Sequence, residues 1–99
     1  MLDINKKIDG TAMTVAVSGK LDSVTSADFE AAIKESIEPI TDLTIDMDGL
    51  TYISSAGLRV LLSSQKIMNR QGSMKVVHVN DTVMEILDVT GFADILTIE

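Results

Sequence analysis

The sequence contains no cysteine, no tryptophan and a single histidine, His78. Without cysteine the chain cannot form a disulfide, a thiolate metal site or a cysteine nucleophile. A single histidine excludes a metal centre built from several imidazoles. Long apolar runs are also absent, which excludes a membrane-spanning helix, and residues 1–10 lack the apolar segment of a signal peptide. We therefore expect a cytoplasmic protein.

Basic residues are scarce, with 8 lysines and arginines against 15 aspartates and glutamates and a formal net charge of −7. An acidic surface repels phosphates, which argues against non-specific binding to nucleic acid or anionic lipid. It suits a basic protein partner, and it is equally consistent with solubility alone. The 99 residues, 45% of them apolar, suffice for one aliphatic core. We expect a single domain spanning residues 1–99.

Alternating apolar residues predict an opening pair of strands at residues 2–8 and 13–17. Asp9-Gly10 between them is a strong hairpin signal, and we expect a further turn at Gly19. A third strand is predicted at residues 43–47, a fourth at 74–79 and a short last one at 95–98.

Three amphipathic helices are predicted between and after these strands. The first begins at Thr25–Asp28, which resembles a capping box, and ends before Pro39. The second begins at residues 54–57 and is closed by Gly72. The third is capped by Asp81 or Thr82. The resulting order predicts an α/β fold, with a mixed sheet of four or five strands and helices mainly on one face.

The segment Ser54-Ser55-Ala56-Gly57 places two hydroxyls where a strand passes into a helix. Backbone N–H groups at a helix start lack intrahelical partners and favour anions. A serine there is also a common N-cap, and a glycine allows close packing. Local chemistry alone leaves an anion or modification site and a purely structural cap as alternatives.

The other candidate catalytic, metal-binding or phosphate-binding residues are better explained by structural roles. Asp46 and Asp48 are two apart on a strand and point to the same side, as a catalytic or metal pair would. Solvated strand residues are the commoner explanation. We expect His78 to be a surface or partly buried strand residue. Gly57 and Gly72 are isolated, so there is no glycine-rich phosphate loop.

Three motifs resemble the STAS-domain family of anti-sigma-factor antagonists. The central one runs from Ile53 through Ser54-Ser55-Ala56-Gly57 to Leu62, and Gly19-Lys20-Leu21-Asp22 and Val89-Thr90-Gly91-Phe92 support it. The resemblance covers essentially the whole chain. It implies that Ser55, two places before Gly57, is the phosphorylated residue. Ser54 stands where many members carry Asp and is a competing acceptor.

The resemblance implies a protein–protein switch rather than an enzyme. The unphosphorylated chain would bind an anti-sigma factor that has serine kinase activity, which frees the sigma factor, and a phosphatase would reset the switch. We expect neither cofactor nor metal. Arg59 either pairs with a phosphate on Ser55 or is simply an exposed helix residue. The expected partner-binding residues are Asp22, Thr25, Asp46, Ser54, Ser55, Ala56, Gly57 and Arg59.

The sequence leaves two alternative functions open. A STAS domain can also be a subunit of another assembly, such as a lipid-transport or stressosome-like complex. A small enzyme or nucleotide-binding protein is disfavoured because the sequence shows neither a nucleophile with an evident base nor a P-loop.

Overall fold

Four strands form one mixed sheet in the order β1-β2-β3-β4 in the computed structural model, which describes residues 2–99. The strands are β1 (Leu2–Asp9), β2 (Ala12–Leu21), β3 (Asp42–Ile53) and β4 (Ser73–Val77). The helices are α1 (Thr25–Lys34), α2 (Ser55–Gln71) and α3 (Asp81–Val89), and a 3-10 turn follows at Phe92–Asp94. The predicted α/β fold is confirmed.

β1 and β2 form the predicted hairpin, in which Asp9 pairs with Ala12 and Gly10 adopts a left-handed φ of 62°. The expected turn at Gly19 is wrong, because β2 continues to Leu21. Gly19 has a φ of 96°, and the register of β2 against β3 shifts beside it. The glycine therefore accommodates an irregularity inside the strand rather than ending it.

β2 pairs in parallel with β3, and β3 with β4, so the helices act as crossover connections. Every second residue is buried from Met13 to Val17 in β2 and from Leu43 to Met47 in β3. All three helices contribute to the single core that covers this face. The opposite face carries no helix among residues 2–99, as the alternation predicted.

Several predicted boundaries and caps differ from the structure. β3 runs to Ile53 instead of ending at residue 47, and β4 ends at Val77 instead of residue 79. The predicted capping box at Thr25–Asp28 is wrong, because the residue that precedes α1 is Val24, whose side chain makes no capping hydrogen bond. α3 is capped by Asn80, whose side-chain oxygen accepts a hydrogen bond from the Val83 amide at 2.8 Å, instead of by Asp81 or Thr82. The expected fifth strand is reduced to one bridge between Val76 and Ile98. Residues 92–94 form a turn before it, which leaves too short a segment to extend the sheet.

Within residues 2–99, no helix is both long enough and apolar enough to cross a lipid bilayer.

Candidate functional site

The carboxyl ends of β2 and β3 meet at one edge of the sheet and bring two distant loops together. Leu21 pairs with Ile53 in the parallel ladder, and the Ser54 amide donates a hydrogen bond to the Leu21 carbonyl at 2.8 Å. Because parallel strands end on the same side, Asp22 and Ser54 leave the sheet as neighbours. Ligands of α/β sheets bind beyond such carboxyl ends. This edge is the candidate site.

The two serines of the junction have different roles in the helix. Ser54 has an extended backbone, with φ −91° and ψ 172°, and its Oγ accepts a hydrogen bond from the Gly57 amide at 3.3 Å. The N-cap hypothesis is therefore confirmed for Ser54. Ser55 is the first residue of α2 and is exposed. Its hydroxyl bonds to no other group within residues 2–99, so it is available to a partner.

Gly57 is the point at which α2 approaches the sheet. A β-carbon at this position would lie 2.8 Å from Cγ of Leu21 and 2.9 Å from Cγ1 of Ile53. Both distances are shorter than van der Waals contact. The predicted close-packing role is confirmed. The glycine holds the helix start, with Ser55 on it, against the ends of β2 and β3.

Asp22 and Thr25 form a compact hydrogen-bonded turn next to this junction. Oδ1 of Asp22 accepts hydrogen bonds from the amides of Thr25 at 2.9 Å and Val24 at 3.0 Å. The Thr25 hydroxyl accepts from the Asp22 amide at 2.9 Å. Bonds from the Thr25 amide and hydroxyl hold the pKa of Asp22 below its ordinary value, so the carboxylate is ionised at neutral pH. Asp22 thus caps α1 from outside the helix.

An open groove of about 400 Å³ separates α1 from α2 beside the serines. Ala56 and Arg59 line it from α2, and Ser23 and Glu30 line it from the α1 side. Ala56 is half-buried, whereas Arg59 is exposed. Seven of the predicted site residues therefore lie together at this edge: Asp22, Thr25, Ser54, Ser55, Ala56, Gly57 and Arg59.

The structure does not bring Asp46 into this group. Asp46 is paired with Ala16 in the register and lies seven residues, or roughly 23 Å at about 3.3 Å per residue, before the end of β3. Its side chain lies on the open face of the sheet. There its Oδ1 accepts a hydrogen bond from the Asp48 amide at 3.0 Å and lies 2.9 Å from Nδ1 of His78.

No local sequence pattern predicts the Asp46–His78 pair, because the two residues are 32 positions apart. His78 was expected within a strand but lies just after β4, exposed and with a left-handed φ of 59°. The hydrogen bond and charge of Asp46 raise the pKa of His78 above 6.5. No cluster of three potential metal ligands occurs in residues 2–99.

Comparison with known proteins identifies the family. The model of the STAS domain family matches residues 3–99. The chain belongs to the STAS domain family. The resemblance seen in the three sequence motifs is thereby confirmed for nearly the whole length.

Relatives of this STAS domain share its fold and a consistent name. The anti-sigma F factor antagonist of Paenibacillus polymyxa is 32% identical over 89 residues, which span 87% of this chain and 76% of that protein. An anti-sigma factor antagonist from Mycobacterium paratuberculosis superposes with a TM-score of 0.89 at 21% identity, covering 99% of this chain and 85% of that one. SpoIIAA, an anti-sigma factor antagonist, superposes in its unphosphorylated form with a TM-score of 0.85 at 15% identity, covering 98% and 88%. Its phosphorylated form from Bacillus gives 0.77 at 14%, covering 98% and 91%.

Proposed function

We propose that this STAS domain is an anti-sigma-factor antagonist whose binding is switched by phosphorylation of Ser55. The observation that carries the proposal is that the two serines at the junction have different roles. Ser54 uses its hydroxyl to cap α2, and Ser55 presents an exposed hydroxyl on the next residue. The names of the relatives, and the two forms in which SpoIIAA has been solved, support the same conclusion.

The proposed partner is an anti-sigma factor with serine kinase activity. It binds the unphosphorylated edge formed by Ser55, Ala56 and the Asp22–Thr25 turn, which releases the sigma factor. The kinase supplies both the nucleotide and the catalysis, so the STAS domain acts as substrate and ligand rather than as an enzyme. A phosphatase restores the binding form. All of these steps take place in the cytoplasm, and the whole chain, residues 1–99, acts as one domain.

A phosphate on Ser55 is compatible with the fold and incompatible with the interface. It adds about −1.5 to −2 charges at the first residue of α2, where free N–H groups and the helix dipole favour an anion. The same charge at a protein interface must be desolvated without a counter-charge provided for it, which weakens binding. The domain therefore stays folded while its partner dissociates.

Asp46 holds a different place in this proposal. It lies on the open face with His78 and away from the serines. A contact between Asp46 and the partner stays a prediction, and it requires a partner that extends beyond the edge onto the open face of the sheet.

Phosphorylation of matched serine variants tests the proposal. The wild-type chain, Ser55→Ala and Ser54→Ala are incubated with an anti-sigma kinase from the same organism and ATP, and products are followed by intact mass and peptide mapping. We expect one phosphate on Ser55 of the wild type and of Ser54→Ala, and none on Ser55→Ala. Phosphate on Ser54, with Ser55→Ala modified normally, would contradict the assignment.

The same experiment separates the alternative functions. A nucleotide-binding protein or enzyme would bind or hydrolyse ATP without the kinase. A STAS subunit of another assembly would neither bind the anti-sigma kinase nor accept a phosphate from it.

A further inference from the structure

The outer face of α2 carries a row of positive charges on an otherwise acidic protein. Arg59, Lys66 and Arg70 are all exposed and are spaced by seven and four residues, which places them on one side of the helix. We call these three residues the basic ridge. The 17-residue helix contains no aspartate or glutamate, although the chain as a whole has a net charge of −7.

The charges of the basic ridge are unpaired. Within residues 2–99, no carboxylate lies within 4.0 Å of Arg59, Lys66 or Arg70, and their side chains donate no hydrogen bond to another protein group. Three lysines elsewhere are paired instead: Lys6 with Glu35, Lys34 with Glu30 at 3.5 Å, and Lys75 with Glu99 at 3.9 Å.

Glu30 is the acidic residue that lines a groove with Arg59, and its carboxylate is the one engaged by Lys34. The ridge therefore has no partner for its charge within the described chain.

Apolar side chains lie beside the ridge. Leu62 and Ile67 are only half-buried, and together with Ser63 and the three cations they line a shallow depression of about 410 Å³ along the helix. From Arg59 to Arg70 the ridge extends about 16 Å, at 1.5 Å per residue. Cations flanking partly exposed aliphatic groups over three helical turns form a surface complementary to an amphipathic segment with negative charges.

We propose that the basic ridge is a docking surface for an acidic amphipathic segment of a protein partner, adjoining the phosphoacceptor edge at Arg59 and extending away from it to Arg70. A narrow segment meets the three cations and the two aliphatic side chains without approaching the rest of the acidic surface. A membrane plane or a polynucleotide is broad and uniformly negative, so the 15 carboxylates of the chain would oppose it. The charge pattern thus favours a protein segment.

This inference extends the proposed function without depending on it. The ridge begins four residues after Ser55, so one partner could contact both surfaces, but neither phosphate nor kinase is needed for the ridge to bind. A test with a synthetic acidic peptide therefore distinguishes failure of the ridge from failure of the phosphorylation switch.

The test uses the full ¹⁵N-labelled chain and two fluorescein-labelled helical peptides of about 16 residues, long enough to span the ridge. One peptide carries glutamates beside a leucine stripe, and the other carries glutamines in their place. Binding is measured by fluorescence anisotropy and mapped by NMR amide shifts. We expect shifts concentrated at residues 59–70, tighter binding of the glutamate peptide, and loss of affinity as salt rises.

Lys66→Glu is compared with Lys7→Glu, which changes the net charge equally but lies on the edge strand β1 rather than on α2. We expect Lys66→Glu to weaken glutamate-peptide binding by about tenfold and Lys7→Glu to have less than about a twofold effect. Equal binding of the two peptides, or equal effects of the two variants, would overturn the proposal. So would Lys66-dependent binding to phosphatidylglycerol vesicles or single-stranded RNA that exceeds binding to the peptide.

Discussion

Ser54 and Ser55 carry the same hydroxyl group, and their surroundings make the two groups differently available. The Ser54 hydroxyl oxygen accepts a hydrogen bond from the Gly57 amide. Removing this hydroxyl would leave the Gly57 N–H, which has no partner within the helix, without a hydrogen bond. The Ser55 hydroxyl has no such task within residues 2–99. A kinase could therefore phosphorylate Ser55 without disturbing the cap, which is the physical reason for proposing Ser55 rather than Ser54 as the acceptor.

Gly57 is the residue at which substitution should affect folding most strongly near the site. We expect Gly57→Val to lower the free energy of unfolding by about 2–3 kcal/mol, because its side chain would overlap buried Leu21 and Ile53. Ser54→Ala, which removes only the cap, should cost about 1 kcal/mol. Urea denaturation of the two variants measures the difference.

Ala56→Val is the matched control for Gly57→Val, because it places the same β-branched residue in the same helical turn at a half-buried position. Equal denaturation midpoints for Gly57→Val and the wild type, together with equal partner affinity, would show that the helix start does not need a glycine.

The Asp46–His78 pair should make stability depend on pH near neutrality. Asp46 raises the folded-state pKa of His78 above 6.5, so the protonated pair stabilises the fold below pH 6.5, and this contribution is lost as pH rises through the raised pKa. Because His78 is exposed, the effect should be small. Thermal melts on both sides of this range should show wild-type stability falling with pH more than that of Asp46→Asn.

His78 is the only histidine, so its imidazole NMR signals give its pKa directly. A value at or below 6.5 in the wild type, or the same pH dependence of melting in Asp46→Asn, would contradict the coupling. Asp48 also raises this pKa through its charge, so Asp48→Asn should produce a smaller change than Asp46→Asn.

At the scale of elements, α2 combines three functions along its length. Its first turn holds the capping Ser54 and the exposed Ser55, its inner face packs Leu58, Leu61 and Met68 into the core, and its outer face carries the basic ridge. Because the inner face is anchored by apolar packing, changes at the first turn and on the outer face should alter binding more than folding. The absence of acidic residues leaves the helix start open to an added negative charge.

Ser55→Asp should separate folding from binding. A carboxylate at the first position of α2 meets the positive end of the helix dipole, which should leave stability unchanged or raise it by about 0.3–1 kcal/mol. Binding to the anti-sigma partner should weaken about 30- to 1000-fold, corresponding to about 2–4 kcal/mol of desolvation and repulsion. Thermal melts and calorimetric titration measure the two effects.

Ser55→Asn has nearly the same shape as Ser55→Asp without the charge, and we expect it to bind the partner more tightly than the aspartate variant does. If Ser55→Asp and the genuinely phosphorylated domain both bind as tightly as the wild type, the proposed switch is contradicted.

At the scale of the whole molecule, charge is distributed unevenly over a small α/β fold. The net charge is −7, yet all the charged residues of α2 are basic. The ion pairs within residues 2–99 lie at exposed or partly exposed positions. Exposed pairs contribute little to stability, whereas the excess of like charge opposes the compact state. We therefore expect electrostatic interactions to contribute little to the stability of this domain.

Salt should consequently stabilise the fold while weakening the basic ridge. Raising NaCl from about 10 mM to about 200 mM shortens the screening length from about 30 Å to less than 10 Å, which relieves repulsion among the carboxylates. We expect the urea midpoint at pH 7 to rise and the affinity for the glutamate peptide to fall over the same range.

Lys7→Glu makes the chain more acidic and Asp9→Lys makes it less so, at exposed positions near the same hairpin turn. The midpoint should rise more steeply with salt in Lys7→Glu than in Asp9→Lys. A midpoint that falls with salt in the wild type would show that the surface ion pairs outweigh the repulsion.

The sequence by itself determined the order of strands and helices, the Asp9-Gly10 turn and the division of the sheet into a buried and an open face. It also pointed to the serine junction. Each of these depends on periodicity, turn chemistry or capping, which act over a few neighbouring residues and so can be read locally. Apolar Leu43 and Ile45 are separated by a polar residue and followed by polar Asp46. This alternation shows which side of β3 faces the core without reference to any other element.

Only the tertiary structure decided which groups meet across the fold. The choice of Ser54 as the cap depends on the backbone angle at which β3 leaves the sheet, and the Asp46–His78 contact depends on the register between β3 and β4. The capping of α1 by Asp22 depends on where β2 ends. Register and strand ends result from packing the whole core at once, so residues distant in sequence become neighbours through interactions that no local pattern contains.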